Sequence, residues 1–233
     1  MWKFGCLFLT VAAVVSAAEK VPVTVYYESL CPDSIAFVTQ QLVPAHNTRL
    51  RDYMDLQLVP YGKASHHRLA DGQKWEFKCH HGPVECYGNK VHGCVLKQIP
   101  NEQNQLKYID CLMKQAKTTR NEFPLSGCIS GTDLSTVTAC ANGSYPVTNG
   151  ADILAGYGDE TAKLTPPLAS VPTVVFNGAF NKSDQDLAQT DFKKVLCSYL
   201  ENECPAECHS SASIASFSSV LVAILFYMAF RNL

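Results

Sequence analysis

Val21-Pro22-Val23-Thr24-Val25-Tyr26-Tyr27-Glu28-Ser29-Leu30-Cys31-Pro32-Asp33-Ser34 is the stretch on which the fold turns. Its first half, VPVTVYY, is β-branched and aromatic and reads as a strand. After Ser34, the apolar residues Ile35, Phe37, Val38, Leu42 and Val43 fall on one face of a helix, which Pro44 disturbs. Cys31 therefore stands where a strand hands over to a helix. Unpaired N–H groups at a helix start carry partial positive charge and favour an anionic sulfur. Pro32 suits the first helical position because its missing N–H would be unpaired there anyway. Asp33 suits the helix dipole but sets a negative charge close to the sulfur. Cys31 could instead be half of a structural disulfide, but its place at the turn favours a reactive thiol.

Working outward, Asp55 to Tyr61 (DLQLVPY) reads as a second strand, and the block from Gly62 to Leu96 as polar, cysteine-bearing and irregular. Leu106, Ile109, Met113 and Ala116 recur at helical spacing. Gly131-Thr132-Asp133 looks like a helix start and Asn142-Gly143 like its stop. Ser170 to Gly178 (SVPTVVFNG) is a third strand entered through Pro172, and Asp184 to Leu200 a final helix. Strand, cysteine turn, helix, strand, helical insertion, proline-led strand and helix together predict an α/β, thioredoxin-like fold with an inserted disulfide-rich helical region. Alternating strands and helices exclude a pure sandwich or bundle. In such a fold Pro172 belongs to a cis-proline loop beside the reactive cysteine.

The 233 residues suffice for one good core. With 19 basic against 21 acidic side chains and no basic stretch, no nucleic-acid partner is expected. Eleven cysteines point to an oxidising lumen rather than the cytosol. Residues 1–18 fit a secretory signal peptide better than an anchor: Lys3, the apolar run Phe4 to Val15, then Ser16-Ala17-Ala18. Residues 19–208 form the domain. Residues 209–233 are a serine-rich linker and the hydrophobic segment Ile214 to Phe230, which reads as a lipid-anchor (GPI) signal, a membrane span or a cleaved tail. The tail is the expected membrane contact. The sequons at Asn142 and Asn181 are expected glycosylation acceptors. These features place the chain in the secretory pathway, extracellular or anchored at the cell surface.

A second motif lies in the insertion. Cys79-His80-His81-Gly82-Pro83-Val84-Glu85-Cys86-Tyr87-Gly88-Asn89-Lys90-Val91-His92-Gly93-Cys94 resembles the signature C-Q-H-G-x2-E-C-x2-N-x4-C of the gamma-interferon-inducible lysosomal thiol reductases. Cys79, His81, Gly82, Glu85, Cys86, Asn89 and Cys94 match it, and His80 replaces the glutamine. The resemblance covers about Val21 to Cys208. It implies a thioredoxin-like fold with a helical insertion, and reduction of protein disulfides in endosomes or lysosomes. It also implies a C-x-x-C pair at the first strand–helix turn, where this chain reads Cys31-Pro32-Asp33-Ser34. In a dithiol site the first cysteine attacks and the second resolves the mixed disulfide. Ser34 occupies the resolving position and cannot do this. Cys31 would need an external thiol reductant or another cysteine of the chain.

Cys79, Cys86 and Cys94 with His80, His81 and His92 also invite a zinc reading. Disulfides with surface histidines fit better, because the spacing is not that of a zinc array. No metal or other cofactor is expected, and His66-His67 reads as solvated. With Cys6 gone and Cys31 free, nine cysteines remain: 79, 86, 94, 111, 128, 140, 197, 204 and 208. An odd number cannot all pair, and the sequence does not name the pairing. The leading functional reading is a thiol oxidoreductase acting on protein disulfides through Cys31. Against it stand a non-catalytic binding protein on a degenerate thioredoxin scaffold, and a disulfide-stabilised structural protein in which Cys31 is buried or oxidised.

Overall fold

The computed structural model describes residues 19–70, 72, 74–116, 123, 125–144, 149–200 and 204–209. Residues 1–18, read above as a signal peptide, and the C-terminal hydrophobic segment lie outside these residues. Among the described residues, no helix is long and apolar enough to cross a membrane.

The central strand is β1 (Val21–Tyr27). Its odd-numbered residues Val21, Val23, Val25 and Tyr27 enter the main core, while Tyr26 joins Val59 and Val175 in a second cluster on the other face. Burial on both faces explains why the segment is a near-continuous apolar run rather than an alternating one. Helix α1 (Pro32–Phe37) continues through a π-helical turn, Val38–Leu42, into α2 (Val43–His46). The turn sits where Pro44 has no N–H to offer the preceding turn, and the Val43 N–H reaches back to the Val38 carbonyl. A 3-10 turn, Arg49–Tyr53, leads to β2 (Met54–Pro60), which pairs parallel with β1 from Val21↔Met54 to Tyr27↔Pro60.

The block expected to be irregular is ordered. It forms a hairpin of β3 (Ser65–Arg68) and β4 (Trp75–Lys78), then the long helix α3 (Pro83–Gln98). Apolar periodicity missed α3 because much of its buried face is polar: Glu85, Asn89 and His92 are fully buried along it. His66 is likewise not solvated; its ring packs against Tyr61, Trp75 and Phe77. Next come α4 (Glu102–Ala116), α5 (Gly131–Ala141) and α6 (Gly150–Ala162). The α4 stripe Leu106, Ile109, Met113 and Ala116 is buried.

Strand β5 (Thr173–Phe176) returns antiparallel to β1, giving the order β2-β1-β5. Helix α7 (Lys182–Ser198) is capped by Asn181, whose side chain accepts from the Ser183 and Asp184 N–H groups, and the short α8 (Ala206–His209) follows. Phe192 of α7 meets Phe37 edge-on and packs against Phe176, tying α1, α7 and β5 together. The fold is α/β and thioredoxin-like, with the helices between β2 and β5 forming the insertion.

Four disulfides staple it: Cys79–Cys86, Cys94–Cys140, Cys111–Cys128 and Cys197–Cys208. Cys31 and Cys204 are free thiols. Cys204, a disulfide candidate by sequence, is thus the unpaired cysteine that the odd count required.

Candidate active site

Cys31 is the N-cap of α1, with extended backbone (φ −65°, ψ 123°) and Pro32 at the first helical position. The Cys31 carbonyl accepts the Ile35 N–H at 2.9 Å, so the helix begins directly at the cysteine. Its thiol donates to the Val171 carbonyl at 3.8 Å. Val171 precedes Pro172, and the bond between them is cis. Three elements thus converge: the end of β1, the start of α1 and the loop entering β5. Between α1 and that loop runs an open groove of about 350 Å³, lined by Asp33, Ala36, Ser170, Pro172, Gln185 and Gln189 among others.

Two residues that sequence reasoning passed over set this geometry. Gln185, in the first turn of α7, is buried; its Nε2 donates to the Pro172 carbonyl at 2.8 Å and its Oε1 accepts the Val174 N–H at 2.6 Å. One amide thereby clamps both sides of the proline loop. Glu28 follows β1 and is fully buried. Its Oε1 accepts the Lys63 N–H at 2.7 Å. Gly62 has φ +62°, and a Cβ there would lie 2.3 Å from the Glu28 side chain, so only glycine serves. A carboxylate closing an otherwise apolar strand was the available signal for Glu28. Gln185 had none.

Ser34 is fully buried, and its Oγ accepts the Glu28 N–H at 3.3 Å. The hydroxyl holds the turn closed. No second thiol lies at this position. The other free thiol among the described residues, Cys204, lies beyond the C-terminal end of α7 against the Cys197 carbonyl, whereas Gln185 at the N-terminal end of that helix, which kinks at Asp191, holds the proline loop.

The Cys79–Cys94 motif, far away in sequence, supports the turn from behind. Asn89 Oδ1 accepts the Ser29 N–H at 2.9 Å, and Ser29 Oγ donates to the Glu85 carbonyl at 3.3 Å. Gly82 caps α3 with φ +85°, a conformation that L side chains rarely adopt. Glu85 reaches back past the Gly82 cap: Oε1 accepts the His81 N–H at 2.9 Å and Oε2 meets His81 Nδ1 at 2.5 Å. Burial raises the Glu85 carboxyl above its ordinary range, opposed by the His81 hydrogen bonds. Cys79–Cys86 closes the same turn, and Cys94–Cys140 ties α3 to α5. The three histidines are not alike. His80 and His81 face Glu28. His92, expected at the surface, is fully buried with Nδ1 3.1 Å from the Tyr27 hydroxyl, and burial pushes its pKa down to about 3. Both sequon asparagines, Asn142 and Asn181, are exposed.

A free cysteine at a helix N-cap, facing a cis-proline loop across a β2-β1-β5 sheet, defines the thioredoxin-like thiol oxidoreductases as the class. Solved structures agree on the fold. Reduced DsbA1 from Neisseria meningitidis superposes with a TM-score of 0.51 over 82% of this chain and 90% of that one, at 11% identity. Sequence comparison goes further. Residues 22–132 match the family described as gamma interferon inducible lysosomal thiol reductase (GILT). GILT-like protein 1 of Drosophila melanogaster is 38% identical over 94% of this chain and 93% of its own length. A gamma-interferon-inducible lysosomal thiol reductase-like protein of Anopheles gambiae is 39% identical over 96% and 95%. The gamma-interferon-inducible lysosomal thiol reductase of Carassius auratus is 33% identical over 82% and 73%. The chain belongs to the gamma-interferon-inducible lysosomal thiol reductase family.

Proposed function

We propose that this family member reduces protein disulfides by a monothiol route through Cys31. The observation that carries this reading is a free Cys31 at the α1 N-cap against the Val171 carbonyl, with a serine where a resolving thiol would stand. The Cys31 thiolate attacks one sulfur of a substrate disulfide; a Cys31–substrate bond forms and the second substrate sulfur leaves as thiolate. An external thiol then attacks the Cys31 sulfur and frees the first substrate thiol. A second external thiol attacks the new mixed disulfide, regenerates Cys31 and departs as oxidised disulfide. Two external thiols are oxidised for each substrate disulfide reduced.

The groove beside Pro172 receives the substrate segment in extended form. The setting is the secretory pathway and its endosomal or lysosomal end, in keeping with the eight cysteines held in disulfides and with relatives named as lysosomal. Asn142 and Asn181 carry glycans, and the hydrophobic tail supplies membrane contact.

The competing reading is a non-catalytic protein: Ser34 in the resolving position suits a binding module, and the burial of Cys31, which is 7% exposed, suits a disulfide-stabilised structural protein. Reduction of a disulfide-linked model protein at acidic and neutral pH separates the two. Activity in the wild type that vanishes in Cys31→Ser supports the reductase. Equal rates in both proteins refute it.

A further inference from the structure

Glu28 and Glu85 are both fully buried, one following β1 and the other opening α3. Two neighbouring buried carboxylates repel each other and need a countercharge. Among the described residues, neither forms an ion pair with a lysine or arginine; their ionisable partners are His80 and His81. Glu28, His80 and His81 converge, and Glu85 joins them through His81. Glu28 Oε2 lies 3.3 Å from His80 Nδ1 and 3.4 Å from His81 Nδ1, and Glu85 Oε2 lies 2.5 Å from His81 Nδ1. The ligand atoms of Glu28, His80 and His81 all lie within 4.8 Å of one another.

These spacings can be set against a metal site. Tetrahedral zinc holds imidazole nitrogen and carboxylate oxygen at about 2.0–2.2 Å, which places ligand atoms roughly 3.3–3.6 Å apart. The two Glu28–histidine distances match that edge. Glu85 is not one of these three; its Oε1 accepts the His81 N–H and its Oε2 meets the His81 ring, which positions that histidine. The His80 side chain is half exposed and gives the ion a way in.

We propose that Glu28, His80 and His81 bind a divalent transition-metal ion of the zinc class. Two imidazoles and one carboxylate supply three of the four tetrahedral positions, and water takes the fourth. The ion cross-links the turn before α3 to the end of β1, and hence to the turn that bears Cys31. This set differs from the cysteine–histidine set suggested by sequence, whose three cysteines are all in disulfides.

The test uses the purified full chain, stripped with a chelator and titrated with zinc chloride against a chromogenic indicator near neutral pH. A Cys31→Ser/Cys204→Ser variant is run in parallel to remove the free thiols. The expected result is one ion per chain at micromolar or tighter affinity in both proteins, weakened at least tenfold by His80→Ala and by His81→Gln. Cobalt should give the intense visible absorption of a tetrahedral nitrogen–oxygen site. His80 is exposed enough for its variant to fold, which circular dichroism checks. Absence of zinc binding, binding lost in the thiol-free variant, or binding unchanged in both histidine variants would overturn the proposal.

Discussion

Cys31 and Cys204 are the two free thiols among the described residues, and their surroundings differ in kind. Cys31 begins a helix, and its sulfur meets a carbonyl of the cis-proline loop. Cys204 lies after α7, donates to the Cys197 carbonyl at 3.6 Å and sits within 4.8 Å of both sulfurs of Cys197–Cys208. Exchange at Cys204 therefore begins with its own neighbouring disulfide and only permutes bonds within the chain. On the proposed reading, exchange at Cys31 is with a substrate disulfide. What distinguishes Cys31 from Cys204 is the company the fold gives it, since exposure alone would favour Cys204.

The strongest way to break this contrast is to delete each thiol. Cys31→Ser should lower disulfide reduction by at least about 10³-fold, as loss of a nucleophile does. Cys204→Ser should stay within about twofold of wild type on the same reasoning. A turbidity assay on a disulfide-linked substrate reads both.

The two ends of the molecule should also differ in how their disulfides hold them. Cys94–Cys140 spans 46 residues and Cys197–Cys208 spans 11. Loop entropy assigns about 4 kcal/mol to the first and about 3 kcal/mol to the second. Replacing each pair by alanines and measuring denaturant midpoints should rank them in that order.

A smaller effect sharpens the contrast on the α3 side, through pH. The folded protein keeps His92 neutral, its pKa lowered by burial from 6.5 to about 3. The unfolded chain takes up that proton below about 6.5, so this contribution to stability is full above that pH and is lost as pH falls towards 3. Between pH 7 and 5 the loss is about 2 kcal/mol. His92→Gln should flatten the stability profile over that range in thermal melts.

The smallest expected effect comes from Ser34→Cys, which gives Cys31 the neighbour it lacks. Turnover at limiting external thiol should rise about tenfold, because an adjacent thiol acts at a far higher effective concentration than a free one. The new sulfur also replaces the acceptor of the Glu28 N–H, at a cost of about 1 kcal/mol in stability. Normal folding, with a disulfide between Cys31 and the introduced thiol but no rate gain, would move the binding-module reading ahead.

The strand, the cysteine turn and the proline-led return were legible because each is a local pattern: an apolar run, Cys-Pro at a helix start, and Val-Pro-Thr before another apolar run. The motif from Cys79 to Cys94 was legible as a pattern, but its purpose was not. Asn89 and Glu85 act on Ser29 some sixty residues away, and only the folded chain brings them together. Helix α3 was hidden for the same reason: a helix whose inward face carries Glu85, Asn89 and His92 has no apolar stripe to read. Cysteine parity predicted an odd thiol without naming it, since pairing depends on which helices meet. Gln185 was invisible because a single buried amide leaves no periodic trace.

The most direct test of the account is to let the wild type react with a disulfide-bonded substrate while external thiol is withheld, quench with acid and map adducts by mass spectrometry. The account predicts a mixed disulfide on Cys31 that accumulates towards one per chain, is released by added thiol, and has no counterpart on Cys204. Adducts on Cys204 with Cys31 unmodified would contradict it.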